Sequence, residues 1–196
     1  PVMVVLSAIF VLVVPSAATA AGQDDSCPAS TARRQGIAAH ATMGVSAWTG
    51  KVGSNSKPGV GMNLGVGYDV FEWLGVELAW TGGTNDSDAP YPPAPATFSA
   101  NQIELILKPR YIMGQFDCVL LAGAGLRWVH PNVLVRIEDF ADGMKPVWTA
   151  GVEVRWNTPV PGLWAAFRIT ASGEYSDSST LWLVPSLGMG YTVALP

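Results

Sequence analysis

The stretch GVGMNLGVGYDV, residues 59–70, alternates strictly: Val60, Met62, Leu64, Val66, Tyr68 and Val70 are apolar, and the residues between them are glycine, asparagine or aspartate. A period of two marks an extended strand, because successive side chains point to opposite faces. The pattern recurs at 74–80, 102–111, 147–156, 163–174 and 181–193, with Ile106 as the exception inside 102–111. Weaker versions at 37–49 and 118–129 complete a set of eight. Each is roughly long enough for a tilted strand to cross a bilayer, which takes about 9–11 residues.

Composition says that something other than water bathes part of this chain. Charged residues make up 13%, against roughly 25% in a soluble domain. The apolar run at 2–14, followed by Pro15 and the small-x-small triplet Ala18-Thr19-Ala20, reads as a signal peptide over 1–20 with cleavage before Ala21. It is shorter than the ~20 residues of a spanning helix. Residues 21–36 are expected to form a periplasmic N-terminal segment, and 37–196 the strand-built domain. No other stretch is continuously apolar at helix-spanning length, so entry into a membrane has to be by strands. The net charge of −4 and the lack of a Lys/Arg run give no reason to invoke nucleic acid.

The connections sort into two kinds. Segments 50–57, 82–99, 130–145 and 176–179 are mostly longer and polar, whereas 69–73, 113–117 and 157–162 are tight. Aromatic residues gather near both strand ends: Trp80, Trp128 and Trp148 toward the long connections, Tyr68, Tyr111, Trp156 and Tyr191 toward the short ones. Rings favour the headgroup level, so two girdles are expected. Trp73, Trp164 and Trp182 do not share the outward parity and are expected to point inward or to lie in turns.

The solvent also dictates closure, because an open sheet edge in hydrocarbon leaves backbone N–H and C=O groups without partners. The apolar set then faces lipid and the other set faces the interior of a closed cylinder. That inward set holds Glu77, Glu104, Lys108, Arg110, Arg127, Glu153, Arg155, Arg168 and Glu174, five basic and four acidic groups. Charges confined in so narrow a lumen are expected to pair, which reads as a plug, with a narrow polar channel as the alternative.

Together these features resemble the small eight-stranded bacterial outer-membrane barrels, the OmpA/OmpX-like group, over essentially the whole chain after residue 20. GMGYTV at 188–193 looks like the glycine-plus-aromatic end strand that such proteins present to the barrel-assembly machinery. The resemblance implies an all-β, up-and-down antiparallel barrel in a Gram-negative outer membrane, embedded in its lipid, and no particular activity.

Searching for chemistry gives little. His40 and His130 have no nearby Cys or second His for a metal set and read as structural or loop histidines; no cofactor is expected. Some barrels of this group modify lipid A, and His130 with Glu138, Asp139 and Ser178 would be the residues to consider. WVHPNV carries no catalytic spacing, however, and the expectation is a non-enzyme. GVGMNLGVG and the GAG at 123–125 do not precede helices, so they are not nucleotide loops. Cys27 and Cys118 both fall toward an oxidising periplasm, which permits a disulfide; two free thiols are the alternative. The loop at 82–99, stiffened by Pro90, Pro92, Pro93 and Pro95, offers a surface for an extracellular ligand or partner. The expected role is envelope integrity or surface interaction through 82–99 and 130–145. A small-solute channel, a lipid A-modifying enzyme and a soluble ligand-binding barrel with its apolar face inward are the rivals.

Overall fold

The computed structural model describes residues 36–88, 97–130, 143–176 and 179–194. The expected signal peptide, Cys27, loop residues 89–96 and 131–142 with Glu138 and Asp139, and Ser178 lie outside the described residues. Eight antiparallel strands close into a barrel in chain order: β1 Gly36–Trp48, β2 Gly59–Phe71, β3 Leu74–Asp86, β4 Thr97–Met113, β5 Phe116–His130, β6 Lys145–Asn157, β7 Leu163–Glu174 and β8 Leu181–Ala194. β1 pairs with β8 from Gly36↔Ala194 to Trp48↔Trp182, so no sheet edge is left open. A bulge between Asp69 and Phe71 shifts the β2–β3 register before the last pair, Phe71↔Leu74, at the tight turn.

Prolines mark where two ladders skip. β4–β5 pairing runs to Leu107↔Ala122 and resumes at Arg110↔Val119, spanning Pro109. β1–β8 pairing runs to Gly44↔Ser186 and resumes at Ala47↔Leu183, spanning Pro185. A proline nitrogen has no hydrogen to donate, so each skip falls where the ladder would lack a donor.

The alternation places its apolar set on the outside. Val60, Leu64, Val66, Leu78, Leu105 and Val152 are all exposed. Asn63, Glu77, Glu104, Glu153 and Arg168 are buried on the opposite parity. A soluble barrel with a greasy lumen is excluded by this arrangement: its apolar side chains would be the buried ones. On β6, Trp148 and Trp156 share the outward face eight residues apart, about 26 Å along a strand and about 20 Å along the axis at the usual tilt. That is close to the ~25 Å apolar band of outer-membrane barrels.

Three departures from the sequence expectation concern the long-connection end. Residues 82–86 and 97–99, expected as loop, continue β3 and β4, paired through Thr84↔Ser99 and Asp86↔Thr97. His130 closes β5 and does not open a loop. The first connection contains a single helical turn, α1 Gly50–Gly53, which turns Val52 into the barrel mouth, where it is buried. This connection is tied to the end of β3 by a Ser56↔Ser87 bridge and a Lys57–Asp88 ion pair at 2.9 Å. The hydrogen bond to Asp88 raises the Lys57 ammonium above its ordinary pKa.

Leu64 lies on the outward face of β2, paired with Ala41 and Trp80 near mid-band. Leu64→Arg is expected to cost about 2–4 kcal/mol, measured by urea unfolding in phospholipid vesicles. A cost within experimental error would show that this face does not meet hydrocarbon.

Candidate functional site

The barrel interior is the site with the most built chemistry. Its deepest cluster is nearer the short-turn end, where β3, β4 and β7 each send one charged group inward and β6 sends two. Arg168 on β7 is its centre. Its Nε donates to Glu153 Oε2 at 2.6 Å, and its Nη2 donates to both Glu77 oxygens at 3.0 and 3.2 Å. Lys108 donates to Glu77 and stands 3.4 Å from Glu153. Arg155 donates to Glu153 and lays its guanidinium 4.3 Å from the centroid of the Trp164 ring. Two carboxylates thus serve three cations, all nearly dry: Glu153 is 0% exposed and Arg168 1%. Ion pairs hold in such a place only when the remaining lone pairs and N–H groups are also satisfied.

That satisfaction comes from neutral residues. Arg168 Nη1 donates to Asn63 Oδ1 at 2.9 Å, and His40 Nε2 lies 2.8 Å from the same oxygen. Arginine can only donate, so this atom of Asn63 is the oxygen, and His40 must carry its proton on Nε2. The His40 ring needs space: it pairs across β1 with Gly65 on one side and Gly190 on the other. A Cβ at Gly65 would stand 2.2 Å from His40 Cε1, and one at Gly190 would stand 2.2 Å from the Trp164 ring. These glycines let two rings pack 5.8 Å apart in a full lumen.

From Asn63 the chain of hydrogen bonds climbs toward the long-connection end. Asn63 Nδ2 donates to Thr81 Oγ1 at 2.7 Å, which donates to Glu104 Oε1 at 2.8 Å. Glu104 also accepts from Thr149 and, at 2.7 Å, from Gln102 Nε2. Gln102 Oε1 accepts two bonds from Arg127, whose Nη2 also donates to Ser172 at 2.5 Å. Charged and amide groups therefore link one level to the next through the lumen without a break.

Above this ladder the mouth is closed by apolar groups. Trp48 and Trp182 stack with centroids 5.4 Å apart, and Arg127 lies 5.2 Å from each ring. Val52, Phe98, Ala100 and Val184 fill in around them. Asn85 fastens the arrangement: its oxygen accepts from Ser46 at 2.6 Å and Trp48 Nε1 at 3.2 Å. Its Nδ2 donates to the carbonyls of Ser46 and Lys57, at 2.8 and 3.0 Å.

Seven of the nine charged residues read from sequence as inward lie in this interior system: Glu77, Glu104, Lys108, Arg127, Glu153, Arg155 and Arg168. Arg110 and Glu174 do not join it. Arg110 pairs with Asp69 at 2.9 Å by the short turns, and Glu174 with Lys145 at 3.1 Å at the other rim. Depth along the strand separates them, which parity alone does not encode. Sequence reasoning missed the neutral partners Asn63, Thr81, Gln102, Thr149 and Ser172, although their inward parity was a usable signal. It also missed an apolar patch of Ala79, Ile106, Val119 and Leu121 on the inner wall. Ile106, which broke the alternation, is 0% exposed there.

Of the girdle set, Tyr68, Tyr111, Trp156 and Tyr191 are exposed on the outward face, and Trp80, Trp128 and Trp148 are half-buried on it. Trp164 and Trp182 point inward, whereas Trp73 lies in a turn stacked on Phe71 at 5.6 Å. Cys118 is half-buried on the outward parity of β5, between Phe116 and Leu120. His130 is exposed at the end of β5, and the Ser99 hydroxyl beside it donates to the His130 carbonyl at 2.9 Å. Among the described residues no three His, Cys, Asp or Glu side chains are grouped to hold a metal.

No protein-family model matches the chain, and no curated protein matches it. Solved structures do. The crystal structure of Neisserial surface protein A is similar with a TM-score of 0.62 at 13% identity, over 80% of this chain and 97% of that one. The outer membrane protein OprG from Pseudomonas aeruginosa is similar with a TM-score of 0.53 at 12% identity, over 83% and 98%. The fold is that of a small outer-membrane β-barrel.

In this barrel the Arg168 guanidinium bridges two buried carboxylates, Glu77 and Glu153. Arg168→Met removes the donors that satisfy Glu77, Glu153 and Asn63 in a dry interior and is expected to cost about 3–5 kcal/mol in vesicle unfolding. Adding Glu153→Gln is expected to deepen the loss, because Lys108 and Arg155 would then share Glu77 alone. A loss below ~1 kcal/mol would show that water reaches the cluster and screens it.

Proposed function

We propose that this chain is a non-enzymatic protein of a Gram-negative outer membrane, with a closed lumen and a role in envelope integrity or surface interaction through its long connections. The observation that carries this reading is the unbroken hydrogen-bonded ladder from Lys108 to Arg127, capped by the Trp48–Trp182 stack. Such a lumen leaves solutes no continuous path. The apolar outer band supports placement in a bilayer, and barrels crossing with strands have the outer membrane as their usual home. The name of Neisserial surface protein A fits a surface role for a barrel of this shape.

The surface-facing part would comprise the ends of β3 and β4 with loop 82–99, and the connection at 130–145. In the ordinary orientation of these barrels the longer connections are external and the tight turns periplasmic. Biogenesis would use the last strand, whose Met189, Tyr191 and Val193 face outward, as the segment offered to the assembly machinery. At the His130 rim the described hydroxyl, Ser99, is committed to a backbone carbonyl and not poised toward the imidazole, which favours a non-catalytic reading over lipid A modification.

Two measurements test this. In planar bilayers the purified barrel is expected to give no steady single-channel steps at moderate voltage; reproducible steps would replace the plug with a pore. Mass spectra of lipid A from cells with and without the protein are expected to coincide, and a mass change dependent on His130 would make it an enzyme.

A further inference from the structure

On the lipid side of β1–β4, beside the long-connection end, the otherwise convex wall is indented by a groove of about 200 Å³, the volume of roughly seven water molecules. Gly82 lies beneath the Trp80 ring, which folds over it so closely that a Cβ there would stand 2.6 Å from Cζ2 and Cη2, and the ring and the glycine together line the groove. Pairing lines up Met43, Met62, Gly82 and Asn101 across the four strands. The next row outward is Val60, Thr84 and Ser99, and the next row inward along the axis is Leu64, Trp80 and Ile103. The groove therefore runs from sulfur and hydrocarbon to two hydroxyls and an amide, within three rows of one face.

That gradient matches the boundary between acyl chain and headgroup. The groove is continuous with the apolar band, so hydrocarbon is what covers it. Its polar end is neutral, and just beyond lies the Asp86 carboxylate, which accepts from Thr97 at 3.0 Å. The basic groups of the surrounding strands are turned away: Lys108 is buried in the lumen, Arg110 is held by Asp69, and Lys57 by Asp88. Among the lining residues a phosphate would meet no cation, and the carboxylate of Asp86 stands just beyond them. Hydroxyl and amide groups, in contrast, would find complementary donors and acceptors.

We propose that this groove holds one acyl chain of an outer-leaflet glycolipid, with the N-acyl amide and hydroxyl groups at the chain–headgroup junction hydrogen-bonded to Thr84 and Asn101 and donating to the Ser99 oxygen, whose own proton is held by the His130 carbonyl. The proposal rests on the outer-membrane placement given above. It assigns the barrel a fixed lipid, as opposed to a fluid annulus alone.

The test is native mass spectrometry of the detergent-purified, full-length barrel offered an equimolar mixture of dephosphorylated lipid A and phosphatidylglycerol. The expected result is one retained glycolipid per wild-type barrel. Gly82→Leu, which pushes the Trp80 ring out into the groove, and Asn101→Leu, which removes the amide, are each expected to lower retention at least tenfold. Heat-modifiable gel migration checks that both variants are folded. Equal retention by wild type and Gly82→Leu, retention of phosphatidylglycerol in preference, or no retained lipid would each overturn the groove assignment. Absence of the protein from a purified outer-membrane fraction would instead overturn the placement on which it rests.

Discussion

In hydrocarbon a backbone amide has no water to turn to, and each N–H or C=O left without a partner costs several kcal/mol. The pairing of β1 with β8, from Gly36↔Ala194 to Trp48↔Trp182, is what satisfies the last edge, and much else follows from it. Once the sheet is closed, side chains have only two places to go. The outer face meets lipid and must be apolar; the inner face is a space that eight strands leave just wide enough for side chains. The strict alternation of residues 59–70 is the imprint of that division. The two ladder skips lie at Pro109 and Pro185, where closure has to tolerate a missing donor hydrogen.

Confinement then decides the chemistry of the lumen. Four charged side chains, Glu77, Lys108, Glu153 and Arg155, meet around Arg168 from three other strands, with the His40 ring beside Glu77. The arrangement is held as much by neutral groups as by charge. Thr81 both accepts from Asn63 and donates to Glu104, and Thr149 both accepts from Gln102 and donates to Glu104. Each hydroxyl thereby passes hydrogen-bond direction from an amide to a carboxylate. Alanine at either position would leave a carboxylate oxygen short of a donor, although it would change no charge.

Much of this was legible in the sequence because one physical rule, the period of two in a closed barrel, fixes both the fold class and the sign of each face. The parity of Glu77, Glu104, Glu153, Arg155 and Arg168 needed no coordinates. Which of them touch did. Arg168 and Glu77 are 91 residues apart, and their meeting depends on how far each strand is shifted along the next, which composition does not carry. Arg110 and Glu174 show the same limit, having the inward parity but lying at the rims. The ends of β3 and β4 were hidden for another reason. Beyond the apolar band, outward residues such as Thr84 and Ser99 become polar, so the contrast between faces that reveals a strand disappears while the ladder continues. Val52 was hidden because a single buried residue in a short polar connection has no periodicity at all.

The order of materials along the lumen has a physical logic. Deep inside, where water is scarce, the groups are ionic; at the mouth, where water is close, they are aromatic and aliphatic. An ion pair near solvent contributes little because water and salt screen it, so a mouth closed by charges would open easily. Stacked indoles exclude water in proportion to the apolar area that they cover. By excluding it they keep the dielectric low around Arg127 and the Glu104 level beneath. Asn85 joins the two regimes, since it anchors the Trp48 ring and ties the first connection to β3 through the Lys57 carbonyl. The cap therefore does more than occlude. It is the condition under which the ladder below it holds together.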